Sequence, residues 1–282
     1  MTEVTAPALL DPSPYAGYDP ERDHLAVAAY DDGVVLVTLT WPERRNAMGL
    51  AMTDAWVRLV DQLRADAAVR AVVITGAGTI FSSGGDTSWI TSEPDATVGD
   101  LRLRMIGYYD AWLAVRDLEV PTIAAINGAA IGAAAALALA CDIRYAAASA
   151  RFAVPFTALG MHPGMGTTYL LPEVVGVAAA RDLLLTGRSA DAEEMLRLGL
   201  VSSVSGDDGF LDGVLRAAHT VAATAPLAAR LTKVALARGP HADLESARQW
   251  EAVAQSVTLT TADLHEGIAA SREKRRPRFT GR

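Results

Sequence analysis

The chain has 282 residues, of which 51% are apolar, and it carries a formal net charge of −8 at pH 7. This length accommodates one large domain, or a core domain with a helical appendage, and the apolar content suffices for a full hydrophobic core. The acidic balance argues against a nucleic-acid partner, because binding phosphates requires a basic surface.

The N-terminal 23 residues contain four prolines and no apolar core segment. We therefore predict a flexible or surface-hugging extension and no secretory signal. The single cysteine, Cys141, lies in the apolar run Leu137–Ile143, which predicts a buried structural thiol and a reducing compartment. The Ala-rich stretch Ile123–Cys141 is interrupted by Asn127 and by glycines, so we interpret it as a buried strand, turn and helix rather than a membrane span. We expect a cytoplasmic protein with no membrane partner.

The first half of the chain alternates predicted strands and helices. Two β-branched segments flank Asp31-Asp32-Gly33, which indicates a hairpin. The predicted strands are Leu25–Tyr30, Val34–Trp41, Ala71–Thr75, Thr122–Ile126, Asp142–Ala147 and Arg151–Val154, and the predicted helices are Ala51–Ala65, Leu101–Val115 and Ile131–Ala140. Repeated strand–helix units favour an α/β layered domain.

After Gly160 the pattern becomes almost wholly helical. Helical spacing predicts Ala178–Leu185, Ala192–Leu198, Gly213–Ala223, Pro226–Ala237, Ala242–Ser256 and Ala262–Arg272. We predict an N-terminal extension over residues 1–23, a core over 24–206 and a helical C-terminal region over 207–282. The C-terminal region is interpreted as a cap or an oligomerisation element.

Two segments have the composition of a site that offers free backbone N–H groups. In Val73–Asp86 a buried strand leads into the Gly-rich turn Ser82–Gly85, and in Ile123–Asp142 a second strand leads into a helix that begins near Ile131. Glycine-rich turns and helix N-termini expose N–H groups that can stabilise a developing oxyanion. Each segment alone also fits an ordinary tight turn or a closely packed helix, but the two together are more specific.

At these segments the sequence resembles the enoyl-CoA hydratase/isomerase (crotonase) family, and the likeness runs from about Leu25 to Arg272. The matching motifs are Trp41–Met48 (WPERRNAM), Thr75–Gly78 (TGAG), Phe81–Asp86 (FSSGGD), Ala125–Gly132, Cys141–Ile143, Gly160–Gly166, Leu185–Arg188 (LTGR) and Leu198–Val201 (LGLV). The resemblance implies a crotonase-like spiral of ββα units with a C-terminal helical oligomerisation region. It also implies a homotrimer or a dimer of trimers.

The resemblance implies an acyl-CoA thioester as substrate, with coenzyme A as part of it and no separate cofactor or metal. The two N–H groups that form the family's oxyanion hole map to Ser83 and Ala133. Arg44 and Arg45 are suited to contact the phosphates of coenzyme A. The residues expected to bind substrate are Arg44, Arg45, Ala47, Ser82, Gly84, Gly85, Asp86, Trp89, Tyr108, Tyr109, Gly132, Ala136 and Phe156.

The chain departs from the hydratases of this family at both glutamates that handle water. The first position maps to Ala136 and the second to Phe156, and no Asp or Glu lies between Asp142 and Glu173. An additional acid of some isomerases and dehalogenases falls near Gly164. Hydration by a pair of carboxylates, one acting as base and one as acid, is therefore not expected.

Three side chains remain as candidates for proton transfer. His162 is a tentative base, because a neutral imidazole accepts a proton near neutral pH, although it could equally pack beside the next helix. Tyr108 and Tyr109 could donate a proton or line the acyl pocket. Trp89 and Phe156 are expected to form apolar walls.

The leading hypothesis is an enzyme that stabilises a thioester enolate. By resemblance it is an enoyl-CoA hydratase or isomerase, that is, a lyase or isomerase of fatty acid metabolism. The missing carboxylates favour decarboxylation, C–C hydrolysis or thioester hydrolysis within the family. A catalytically silent acyl-CoA-binding protein is the alternative of a different class. A dinucleotide-binding oxidoreductase is disfavoured, since Phe81 stands where the third glycine of that fingerprint belongs.

Overall fold

The computed structural model of the chain describes residues 7–11, 13–90, 92–93, 95–238 and 243–282. Residues 1–6 and Pro12 of the predicted N-terminal extension lie outside these ranges. Ala242, where a C-terminal helix was predicted to begin, lies outside them as well.

The larger of two sheets is built on the predicted hairpin. Its strands, in spatial order, are β1 (Leu25–Ala29), β2 (Val34–Leu39), β3 (Ala71–Gly76), β5 (Thr122–Ile126), β7 (Ile143–Ala147) and β10 (Ser203–Ser205). Strands β1 and β2 pair antiparallel, and every later pair in this sheet is parallel. All residues of β3 and β5 are buried, as expected for parallel strands covered on both faces.

The smaller sheet contains four short strands. They are β4 (Ile80–Ser82), β6 (Ala129–Ile131), β8 (Arg151–Ala153) and β9 (Ser189–Asp191), paired in that order. The chain alternates between the sheets, since β3 is followed by β4, β5 by β6 and β7 by β8. This alternation, with helices between successive turns, produces the mixed α/β spiral that the sequence predicts.

Ten α-helices complete the described part of the chain. They are α1 (Leu50–Ala65), α2 (Thr87–Ile90), α3 (Val98–Leu113), α4 (Ala133–Ala140), α5 (Thr167–Thr186), α6 (Ala192–Arg197), α7 (Phe210–Ala222), α8 (Pro226–Arg238), α9 (Leu244–Thr258) and α10 (Ala262–Glu273). Every residue of α4 is buried, because its small side chains allow neighbouring elements to approach from all sides. Helix α5 is longer than predicted and has a break at Gly176. None of the helices in the described ranges combines the length and apolar character that crossing a bilayer requires.

The described part of the N-terminal segment packs against the core. Tyr15 is 1% exposed, and its hydroxyl donates to Asp66 at the end of α1 over 3.0 Å. Leu9 forms an isolated antiparallel bridge with Tyr30. The segment is therefore surface-hugging, which is one of the two predicted possibilities.

The prediction of a buried structural cysteine is confirmed. Cys141 is 3% exposed at the end of α4, and its thiol contacts the carbonyl oxygen of Leu137. Burial raises the pKa of this thiol to about 12, so it stays protonated at neutral pH and is a poor nucleophile.

Candidate functional site

Three parallel strands of the smaller sheet end side by side, and the segments that follow them form the site. Strand β4 is followed by Ser83–Asp86, β6 by Gly132 and the first turn of α4, and β8 by Val154–Phe156. Because the carboxyl ends of adjacent parallel strands lie at one edge of a sheet, segments more than 20 residues apart in the chain meet there. The two motifs singled out in the sequence are thus neighbours.

The N–H group of Ala133, in the first turn of α4, is a free backbone donor among the described residues. Ala133 is the first residue of the helix, and no group in the described part of the chain accepts a hydrogen bond from its N–H. Unpaired N–H groups and a partial positive charge are properties of any helix N-terminus. The N–H of Ala133 is therefore free, as its predicted role in an oxyanion hole requires.

The prediction of a free N–H at Ser83 is wrong, because this group donates to the carbonyl oxygen of Arg45 over 2.9 Å. The N–H of Gly84 donates to the hydroxyl of Ser82. The next N–H, that of Gly85, has no acceptor among the residues that the structure describes. The free amide of this turn therefore belongs to Gly85, two residues after the predicted position.

The two turns are in direct contact at Gly84. A Cβ atom at this position would lie 2.4 Å from the carbonyl oxygen of Ile131 and 3.1 Å from the backbone nitrogen of Ala133, and φ is +89°. Both the close approach and the left-handed conformation require glycine. Gly84 thus holds the Gly85 turn against the N-terminus of α4.

Two asparagine amides, buried at Asn46 and partly exposed at Asn127, hold the surrounding loops, and neither was predicted as a site residue. Asn46 is 0% exposed, accepts from the N–H of Trp41 and donates to carbonyl oxygens of Ala77 and Ile80. Asn127 donates to carbonyl oxygens of Gly76 and Gly78. The bonds that these two amides donate span 31 to 51 positions of sequence, so local patterns do not reveal them.

A cavity of about 140 Å³ opens in front of the two free amides. Nine of the predicted site residues line it: Ser83, Gly85, Trp89, Tyr108, Tyr109, Gly132, Ala133, Phe156 and His162. Eight further lining residues were not predicted as site residues: Thr87, Met105, Ile131, Pro155, Leu159, Met161, Gly164 and Met165. Most of these are apolar residues, whose role in a pocket depends on where the fold brings them. Among the described residues that line the cavity, none carries a carboxylate.

Seven predicted site residues lie outside the cavity lining: Arg44, Arg45, Ala47, Ser82, Gly84, Asp86 and Ala136. Ser82 is fully buried, and its hydroxyl donates to the carbonyl oxygen of Asn46. Asp86 accepts from the N–H and hydroxyl of Ser88 at the start of α2. These two side chains hold the turn rather than facing a ligand. Arg44 and Arg45 are exposed on the loop that contacts the Gly85 turn through backbone bonds.

Trp89 forms an apolar wall whose ring contacts two side chains of α3. The guanidinium of Arg104 lies 4.2 Å from the centroid of the Trp89 ring, and the ring of Tyr108 lies 4.8 Å away. The hydroxyl of Tyr108 donates to the carbonyl oxygen of Met48 over 3.0 Å. Burial raises the pKa of Tyr108, so this phenol remains protonated.

His162 lies at the exposed edge of the cavity. Its Nδ1 is 2.8 Å from the carbonyl oxygen of Pro163. A carbonyl oxygen only accepts, so the proton of a neutral imidazole is assigned to Nδ1 and the lone pair to Nε2. The side chain therefore has a nitrogen available to accept a proton.

Comparisons of the sequence and of the structure with known proteins all point to one family. Residues 29–282 match the family model described as Enoyl-CoA hydratase/isomerase. The human protein named enoyl-CoA hydratase domain-containing protein 2, mitochondrial, is 36% identical over 262 residues, covering 91% of this chain and 89% of that protein. The 2,3-dehydroadipyl-CoA hydratase of Escherichia coli strain K12 is 36% identical over 251 residues, covering 88% of this chain and 96% of that protein. A crystal structure of a putative enoyl-CoA hydratase from Streptomyces coelicolor A3(2) superposes with a TM-score of 0.87 at 36% identity, covering 96% of this chain and 100% of that one.

Proposed function

Because the chain belongs to the enoyl-CoA hydratase/isomerase family, we propose that it binds an acyl-CoA thioester and stabilises its enolate with the N–H groups of Gly85 and Ala133. The observation that carries this proposal is that the N–H groups of Gly85 and Ala133, on adjoining turns of one cavity, have no acceptor among the described residues. When a proton leaves C2 of a thioester, negative charge develops on the carbonyl oxygen. Two fixed donors, one at a helix N-terminus, stabilise that charge without reorganising.

The reaction is proposed to differ from hydration by two glutamates. Ala136 and Phe156 stand at the positions that the family's hydratases use, and the described cavity lining has no carboxylate. Reactions that need fewer protein proton carriers fit better, namely decarboxylation, C–C hydrolysis or thioester hydrolysis. Nε2 of His162 is the candidate base. The residue lies at the cavity edge, and Nδ1 is the nitrogen bonded to the Pro163 carbonyl oxygen, which leaves the lone pair on Nε2.

The remaining features of the proposal concern coenzyme A, assembly and location. Arg44 and Arg45 are exposed next to the Gly85 turn, where guanidinium groups can contact phosphates of the ligand. We expect a homotrimer or a dimer of trimers formed through the C-terminal helices, which expose apolar residues. The cytoplasmic location stays a prediction.

Substitution of Ala133 by proline tests the oxyanion hole directly. Proline removes the N–H, and the first position of a helix tolerates proline, so the fold should survive. We expect turnover of any accepted thioester to fall about 10²-fold, the usual effect of losing one such donor. Difference infrared spectroscopy supplies a readout that is independent of turnover. The carbonyl stretch of a bound thioester should shift to lower frequency in the wild type and shift less in Ala133→Pro.

The matched control is Ala262→Pro, the same change at the first position of α10 and outside the cavity. It should leave both the spectrum and the turnover unchanged. An unshifted carbonyl stretch in the wild type would rule out the amide pair as an oxyanion hole.

A panel of 2-enoyl-CoA, 3-oxoacyl-CoA and saturated acyl-CoA substrates identifies the reaction. We expect hydration of 2-enoyl-CoA to be the weak activity, and His162→Ala to lower whichever activity dominates. Fast hydration would contradict the proposed departure from the hydratases. Tight binding without turnover of any substrate would favour the silent acyl-CoA-binding protein.

A further inference from the structure

The adjacent tyrosines of α3 use their hydroxyl groups differently. Tyr108 is buried, and its proton is donated to the carbonyl oxygen of Met48. Tyr109 is only half-buried and lines the cavity, and no described residue accepts a hydrogen bond from its hydroxyl. The hydroxyl of Tyr108 therefore donates within the fold, and the hydroxyl of Tyr109 remains a free donor at the cavity.

The loop after β8 closely approaches the Tyr109 oxygen at Gly164. A Cβ atom at Gly164 would lie 2.5 Å from this oxygen, so the hydroxyl approaches only because position 164 is glycine. Met165 adopts φ = 50°, a conformation that is costly for a residue other than glycine. In this conformation the backbone of Met165 lowers the pKa of the Tyr109 phenol, an effect smaller than that of burial, which raises it.

This arrangement determines where the tyrosine proton goes. A phenol has one O–H donor, and none of the described residues accepts from that of Tyr109 at the cavity. Burial raises the pKa of Tyr109, so the phenol keeps its proton at neutral pH. A protonated hydroxyl in a mostly apolar cavity needs an acceptor, because an unsatisfied donor there is unfavourable.

We propose that Tyr109 is a specificity-determining hydrogen-bond donor to an oxygen on the acyl chain, and that the site takes 3-oxoacyl-CoA thioesters. This inference rests on the proposed function, in which the thioester carbonyl occupies the amides of Gly85 and Ala133. A ketone oxygen is purely an acceptor and complements the free O–H donor of Tyr109. The chain of a saturated or 2-enoyl thioester has no such oxygen.

The chemistry of a 3-oxoacyl chain also fits the lining of the cavity. Its C2 protons lie between two carbonyl groups, so they are more acidic than those of a simple thioester. Polarising both carbonyl oxygens, one with two amides and one with a phenol, stabilises the enolate further. Such a substrate gives up a C2 proton more readily, so the imidazole of His162 can serve as base in a described lining without the glutamates of the hydratases.

The test compares two ligands of equal length, acetoacetyl-CoA and butyryl-CoA, by isothermal titration calorimetry, with ligand integrity checked by chromatography. The wild type should bind acetoacetyl-CoA roughly three- to tenfold more tightly, as expected for one added hydrogen bond. Tyr109→Phe should bind both equally, with an unchanged affinity for butyryl-CoA. The matched control Tyr18→Phe removes a hydroxyl that donates to Gln62 outside the cavity, and it should keep the preference.

A second variant guards against an effect of Tyr109→Phe on folding. Gly164→Ala places a methyl group against the Tyr109 oxygen and should also remove the preference for acetoacetyl-CoA, with the thermal unfolding midpoint of each variant measured alongside. Equal affinities in the wild type, or a preference that persists in Tyr109→Phe, would overturn the inference and leave the proposed function intact. Failure of both thioesters to bind would overturn both.

Discussion

Ala136 and Phe156, the two positions that the sequence predicts to correspond to the hydratase glutamates, have different surroundings. Phe156 is partly exposed and lines the cavity, and its ring lies beside Gly132. Ala136 is 0% exposed in the fourth position of α4 and does not line the cavity. A carboxylate at position 156 could reach the cavity, whereas one at position 136 would enter a closed core.

We therefore predict that Ala136→Glu lowers the free energy of unfolding by about 3 kcal/mol at pH 7, because an unpaired charge is buried. Burial would raise the pKa of the new glutamate in the folded state above about 4.3, its unfolded value. The loss should then be smaller at pH 5 than at pH 7, since lowering the pH protonates the unfolded side chain too. Urea unfolding of the wild type and of Ala136→Glu at pH 5 and pH 7 measures this loss in the free energy of unfolding.

Phe156→Glu is the control for this prediction. Its carboxylate has access to solvent through the cavity, so its effect on stability should be smaller and nearly independent of pH. Equal, pH-independent losses in the two variants would show that position 136 is not closed to a charge.

At the scale of elements, Lys233 connects the C-terminal helices to the core. Its side chain on α8 is 7% exposed, and Nζ lies 2.8 Å from Oδ2 of Asp142 and 2.9 Å from the carbonyl oxygen of Val120. The same carboxylate oxygen accepts from the N–H and hydroxyl of Thr122 at the start of β5. One carboxylate thus joins α8, β5 and the end of α4.

Lys233→Met should lower the free energy of unfolding by about 2 kcal/mol, because it leaves Asp142 without its cation and Val120 without its donor. The full penalty of a broken buried pair is not expected, since the side chain of Asp142 is 33% exposed. Lys274→Met, at an exposed position after α10, is the matched control and should have no measurable effect in denaturant unfolding. Equal stability of the two variants would show that the buried pair is dispensable.

Elements with a strong local pattern were predicted well, and those that depend on pairing were not. Strand β5 has the predicted bounds, and the hairpin of β1 and β2 ends within two residues of its predicted limits. The three-residue strands β4, β6 and β9 of the smaller sheet were not predicted, and neither was β10 in the larger sheet. Such short strands exist because neighbours in their sheet supply their hydrogen bonds, and a three-residue segment has too little pattern of its own.

At the scale of the whole molecule, α9 is a helix whose side chains all remain at least partly exposed. It has no fully buried residue, and Val253 and Val257 are 62% and 45% exposed one helical turn apart. Side chains four residues apart share a face of a helix. This face is the one that we expect another copy of the chain to cover.

We predict that the wild type sediments with the mass of a trimer or a hexamer, and that Val253→Glu combined with Val257→Glu shifts it towards the monomer, because charges would be buried in an apolar interface. Val98→Glu changes an 84% exposed valine at the start of α3 and serves as the control. Analytical ultracentrifugation distinguishes the species. A monomeric wild type would refute the predicted assembly.

The sequence by itself determined the family, the α/β class and the two strand–turn segments of the site, because these follow from local composition and from motifs in a recognisable order. It also determined that Ala136 and Phe156 cannot transfer protons, since that is a property of their side chains alone. Only the tertiary structure decided which backbone N–H groups are free. The N–H of Ser83 is taken by the carbonyl of Arg45, 38 residues earlier, and that of Gly85 is not.

The distinction between Tyr108 and Tyr109 was decided in the same way. Both phenols have the same intrinsic chemistry, and their partners, Met48 and Met165, lie about 60 residues away on either side in the chain. Whether a hydrogen-bonding group is satisfied depends on groups that only folding brings within 3 Å or so. Availability of donors, and with it the chemistry of this cavity, is therefore a property of the tertiary structure.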